Sequence, residues 1–172
     1  MAASPRRSEP PRLVVVMGVA GCGKSTVAAM LAEAAGGTLL EGDAFHPPAN
    51  IAKMSAGTPL TDADRWPWLD AIGRAMAATP GPVFAACSAL RRVYRARLAA
   101  AAGAPVFFLH LDGERALIAR RMQSRSGHFM PGSLLDSQFA TLEVPGPDET
   151  AASIDIDQPI EAIVAACRQA LA

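Results

Sequence analysis

LVVVMGVAGCGKST, residues 13–26, decides the fold. Its first five residues are apolar, mostly β-branched and without polar alternation, the pattern of a strand buried on both faces. Gly18 to Ser25 then fits GxxxxGK[ST] in full, and Lys24 opens a helix-forming stretch that runs to about Ala35. Strand, glycine-rich turn and helix are the context in which this spacing binds phosphate. Gly18, Gly21 and Gly23 let the backbone curl so that successive N–H groups face one anion. The helix start adds its positive dipole end. Lys24 would reach the terminal phosphates, and Ser25 would give its hydroxyl to Mg²⁺.

Outward from this loop, strands and helices alternate. Strands are expected at Thr38–Asp43, Val83–Cys87, Val106–Leu111 and Ser153–Ile156. Helices are expected near Asn50–Met54, from Thr61-Asp62 through Met76, over Arg91–Ala102, Gly113–Arg125 and Ser133–Leu142, and over Ile160–Leu171. This alternation predicts an α/β fold, a parallel five-stranded sheet with helices on both faces and right-handed crossovers. Ligands then bind beyond the carboxyl ends of the strands. Residues 1–12, rich in Pro, Arg and Ser, read as a disordered tail, and 13–172 as one domain without internal repeats.

Composition narrows the function classes. Lys+Arg and Asp+Glu both number 16, so nothing marks a protein built to coat nucleic acid or an anionic membrane. No apolar run approaches the ~20 residues of a membrane span. Cys22, Cys87 and Cys167 show no metal-ligand spacing and read as reduced thiols, which suits the cytoplasm. A phosphate loop serves kinases, GTPases and motor ATPases alike. The chain lacks the guanine-reading NKxD motif and is short for a motor, which favours a small ATP-dependent kinase.

The third strand ends in Cys87-Ser88, without the Mg²⁺-holding carboxylate common in such folds. Asp43, after the second strand, is the candidate to accept the acceptor's proton, with Glu41 as the fallback. His46, Asn50, Lys53, Asp64, Arg65 and Trp68 follow it. Ser88, Arg91, Arg92 and Arg95 follow the third strand, and Arg91 and Arg95 share a helical face. Together they would form a cationic pocket suited to a carboxylate, since guanidinium groups match its geometry; His46 on its own would more often be structural. Aromatic residues are only 5%, which disfavours a stacked nucleoside acceptor. The segment around 121–133 reads as a lid, with Arg121 and Arg125 on one face and His128 between two glycines. Cys22, near a helix start and a lysine, is expected to alkylate readily when the site is empty.

MGVAGCGKST, GDAFHPPANIAKMSAGTPLTDADRWPWL, CSALRRVYRARL, RSGHFMPGSLLDSQFATLEVP and DIDQP occur in this order from Leu13 to Pro159. In these pieces the chain resembles the small P-loop gluconokinases. The resemblance implies an ATP:D-gluconate 6-phosphotransferase with a nucleoside-monophosphate-kinase-like fold, Mg²⁺ dependence and a homodimer. It places Gly18 to Thr26 on ATP and Asp43 near the transferred phosphate. Arg65, Arg91 and Arg95 would lie near gluconate, Arg121, Arg125 and His128 in the lid, and Gln158 and Pro159 beside adenine. Arg91-Arg92 stands where the family often has two lysines, and Cys22 where it commonly has a small residue.

Overall fold

A computed structural model describes residues 9–124 and 132–172. Its strands are β1 (Leu13–Met17), β2 (Thr38–Glu41), β3 (Val83–Ala86), β4 (Val106–Asp112) and β5 (Ala151–Asp155). They form one sheet in the order β2-β3-β1-β4-β5, and every pairing is parallel. The helices are α1 (Lys24–Ala35), α2 (Pro48–Ser55), α3 (Asp62–Ala78), α4 (Arg92–Ala102), α5 (Arg115–Gln123), α6 (Gly132–Thr141) and α7 (Ile160–Leu171). One turn of 3₁₀ helix, Gly42–Phe45, links β2 to α2.

The unbroken apolar run of β1 follows from its central place. Val14 and Val16 enter a core shared with α1 and α7, while Leu13, Val15 and Met17 enter a second core shared with α3 and α4. Both faces are therefore covered, as expected for a parallel sheet. On the second face Gly73 brings α3 close to α4, because a Cβ there would lie 2.5 Å from the Leu98 carbonyl oxygen.

Two strand boundaries differ from the sequence pattern by two residues, the others by one at most. β2 stops at Glu41, two residues before Asp43. A Cβ on Gly42 would lie 2.3 Å from the Ala86 carbonyl oxygen, so the chain turns across the end of β3 instead of extending past it. β5 begins at Ala151, which pairs with Phe108, and the Phe108 N–H donates to Thr150 O. Ladder hydrogen bonds, which the side-chain pattern does not reveal, set that start. Arg12, at the edge of the expected tail, donates to Thr79 O and Gly81 O and accepts from the Val83 N–H.

Candidate active site

The carboxyl ends of β1, β2 and β3 converge on the glycine loop. Gly18, Gly21 and Gly23 have φ of 148°, 80° and 96°, left-handed values that suit glycine. Gly21 is also sterically fixed, because a Cβ there would sit 2.5 Å from Met122 Cγ. No side chain caps the start of α1, so its first N–H groups remain available to an anion. Ala20 N–H already has a partner, donating to Gln138 Oε1 of α6 at 2.6 Å. Lys24 Nζ donates to Val19 O at 3.0 Å, a carbonyl position that a phosphate oxygen would replace. Ser25 Oγ donates to Glu41 Oε2 at 2.8 Å, and Thr26 is exposed beside it. Cys22 is 3% exposed, so access limits the ready alkylation expected from its neighbours.

Asp43 lies on the 3₁₀ turn, exposed, and that turn is pinned from several sides. Gly42 presses on the end of β3. Trp68 Nε1–H donates to Gly42 O at 2.8 Å. The Trp68 ring stacks on His46, with centroids 4.2 Å apart and planes at 15°. His46 is also within 3.3 Å of Asn50 Nδ2, and Asn50 donates to Asp64 O. Burial lowers the His46 pKa, so its ring is held neutral and acts as packing. Behind the turn, burial pushes the Cys87 thiol up to about 12, with Lys24 pulling it down and Asp43 pushing it up. One buried sulfur at the end of β3 thus lies within the field of both charges.

A second cluster flanks this point. Asp62 holds Arg91 at 2.9 Å and Arg65 at 3.5 Å, and it accepts a hydrogen bond from the Tyr94 hydroxyl. Arg65 also donates to Tyr94 Oη at 3.1 Å. Arg65 and Arg91, two of the arginines expected near the acceptor, thus share one cluster, oriented by a carboxylate and a phenol that the sequence reading did not single out. Tyr94 is the sole tyrosine of the chain and falls among arginines in RRVYR, a signal that was there to be read. Lys53 is tied to Asp64 at 2.7 Å, and chiefly this contact lowers the Asp64 pKa to about 2. Asp64 also closes the capping box with Thr61 at the start of α3. Ser88 contributes its carbonyl to the Gly18 N–H at 3.3 Å, joining the end of β3 to the loop.

Arg95 does not join this cluster. It is 2% exposed and bound to Glu149, Ala89 O and Leu90 O. Its burial follows from its place on α4 beside Tyr94 and Leu98, both facing the core. Arg92 is exposed and paired with Asp148.

At the other end of the crevice Arg121 donates to Ile156 O at 2.6 Å, and Gln158 Nε2–H donates to Asp155 O. Pro159 caps α7. A cleft of about 300 Å³ opens here, beyond the ends of β4 and β5, lined by Asp112, Glu114, Arg120, Asp155 and Asp157 among others. Arg125 and His128, with most of the expected lid, lie outside the described residues. No helix among the described residues is long and apolar enough to cross a membrane.

The AAA domain family model matches residues 13–145. A gluconokinase of Gluconobacter oxydans is 54% identical over 143 residues, covering 81% of this chain and 79% of the relative. The thermoresistant gluconokinase of Escherichia coli is 44% identical over 158 residues, covering 89% of each. A crystal structure of a gluconokinase from Sinorhizobium meliloti matches with a TM-score of 0.85 at 50% identity, over 95% of this chain and 91% of that one.

Proposed function

The chain belongs to the gluconokinase family, and from that premise we propose how its own residues phosphorylate gluconate. The enzyme is a nucleotide-using kinase, with ATP as donor and D-gluconate as acceptor in this proposal. The observation that carries the reading is the convergence of three groups beyond β1, β2 and β3: the phosphate loop, the Asp43 turn and the Arg65–Arg91–Tyr94 cluster.

The unpaired N–H groups at the start of α1 would bind the phosphates, and Lys24 would exchange its carbonyl partner for a terminal phosphate oxygen. Transfer of a phosphoryl group is mostly positioning and charge stabilisation. Arg65 and Arg91 would hold the acceptor's carboxylate, and Ser88 would sit between them and the loop. That anchoring directs the far end of the acid, with its 6-hydroxyl, toward Asp43. Asp43 would orient this hydroxyl and receive its proton as the new P–O bond forms and the bond from the γ-phosphorus to the ADP oxygen breaks, ADP leaving with that oxygen.

Ser25 Oγ and Glu41 Oε2, 2.8 Å apart, are hard oxygen groups that suit Mg²⁺. Among the described residues no group of three or more His, Cys, Asp or Glu could hold a metal. That fits an ion completed by waters and substrate phosphates. When bound, Mg²⁺ would neutralise charge on the phosphates. Arg121, Gln158 and Pro159 would border the nucleotide base. A homodimer in the cytoplasm completes the proposal, and sedimentation measures the oligomeric part.

An ADP-release assay tests the function, using Mg-ATP with D-gluconate, shikimate, nucleoside monophosphates and neutral sugars. Release with D-gluconate alone, and a product carrying phosphate on the 6-oxygen by phosphorus NMR, is expected. Release with another acceptor, or phosphate elsewhere on gluconate, contradicts the proposal.

A further inference from the structure

The segment after β3 makes a sharp elbow. Ala89 adopts φ 44°, the only positive value of a non-glycine among the described residues. A left-handed L-residue is strained and persists only where its surroundings impose it. The elbow matters because Ser88 and Arg91 flank it, and because Ser88 O accepts from the Gly18 N–H.

The imposing group is identifiable. Arg95, one turn into α4, sends Nη1–H to both Ala89 O at 2.9 Å and Leu90 O at 3.2 Å. Its other edge pairs with Glu149, Nε to Oε1 at 2.7 Å and Nη2 to Oε2 at 3.1 Å. The Arg95 side chain is 2% exposed and that of Glu149 12%. Glu149 is fixed in turn by the Gly146 N–H at 2.9 Å, and Leu90 O accepts a further N–H from Glu143 at 2.8 Å. A guanidinium this buried and this occupied offers little to a substrate arriving from solvent. Both elbow carbonyls accept from it, and it is oriented by a carboxylate on a loop more than fifty residues away in sequence.

We infer that Arg95 and Glu149 are positioning residues: their buried pair holds the Ala89 elbow in its left-handed form and so presents Ser88 and Arg91 to the acceptor. The inference rests on the proposed acceptor roles of Ser88 and Arg91. It predicts that the pair governs acceptor affinity without touching the acceptor. It also predicts a specific rescue. Once the pair is weakened, Ala89 relaxes toward negative φ. Glycine at 89 populates positive φ without penalty and keeps part of the elbow.

The test is a double-mutant cycle of Glu149→Gln and Ala89→Gly, read as KM for gluconate and KM for ATP. Glu149→Gln is expected to raise the gluconate KM about tenfold and the ATP KM less than twofold. Ala89→Gly alone should leave both within twofold. In the double variant the gluconate KM should fall back about fivefold, since the strain of one left-handed residue corresponds to about that factor. If Glu149→Gln does not fold, Glu149→Asp serves; it keeps the charge but shortens the reach needed for both bonds. Equal effects of Ala89→Gly in both backgrounds, or an unchanged gluconate KM in the Glu149 variant, overturn the inference. Ser88→Ala and Arg91→Ala separate the two readings. If they leave the gluconate KM unchanged, the acceptor assignment has failed. If they raise it while the cycle is additive, only the positioning role has failed.

Discussion

Gly42→Ala probes the contact that aims Asp43. The new methyl would lie 2.3 Å from the Ala86 carbonyl oxygen, where ordinary contact begins near 3.4 Å. The obstacle is backbone of β3, an interior strand paired on both sides, so it cannot yield. The 3₁₀ turn must therefore move by about 1 Å, against the Trp68 hydrogen bond that holds Gly42 O. Asp43 is the next residue and moves with it. A displacement of about 1 Å from reacting geometry costs about 10²-fold in rate. Steady-state kinetics should show kcat with gluconate falling by about that factor, while nucleotide affinity by calorimetry stays near wild type. Overpacking should also cost about 1–3 kcal/mol of stability, read as a drop in Tm. Gly81→Ala is the control. It adds a side chain at φ 75° with no atom within 4 Å, so it should cost about 1–2 kcal/mol of stability and leave kcat intact. A Gly42→Ala enzyme with kcat within twofold of wild type would refute the claim that this contact places Asp43.

Lys24→Ala should lower kcat/KM for gluconate by more than it weakens ATP binding, because in the proposed role its charge would meet the phosphates most strongly in the transition state; equal losses in both measurements would contradict that role. Acid should destabilise the fold in two stages. Burial lowers the pKa of His46 and His110, so the stability they contribute is complete above the ordinary histidine pKa, about 6.5, and is lost as pH falls below it. Arg95 lowers the Glu149 pKa and Lys53 that of Asp64, so their contributions are complete above the ordinary carboxylate range and are lost as pH falls through the depressed values. Tm measured from pH 8 to pH 3 should fall first below about pH 6.5 and again below about pH 4; a flat profile down to pH 5 would exclude the histidine part.

The fold was legible because burial on both faces writes itself into strands. LVVVM could belong only to the interior of a covered sheet, and the order of glycine loop, Asp43 and arginine segments followed from strand ends. Residue types also pointed to Lys24, Ser25, Arg65 and Arg91. What the sequence hid was partnership. Arg91 and Arg95 share a helical face on paper, yet one turn along α4 separates a half-exposed guanidinium from a buried one. Glu149, in a segment that read as plain loop, has no local pattern linking it to Arg95, because that pairing exists only after the sheet has formed. Gly42 looked like strand continuation, and only the parallel register of β2 on β3 makes it a contact point. Gln138 was similarly unreadable, since its bond to Ala20 joins α6 to a loop more than a hundred residues earlier.

Asp43 is the group proposed to handle the acceptor hydroxyl. Asp43→Asn keeps the size and removes the charge, so single-turnover transfer from bound ATP to gluconate isolates its chemistry from binding. A fall in the transfer rate of about 10²–10⁴-fold, with ATP and gluconate still bound near wild-type affinity, is the predicted result. A transfer rate within a few-fold of wild type would contradict it and move the role to another group in the crevice.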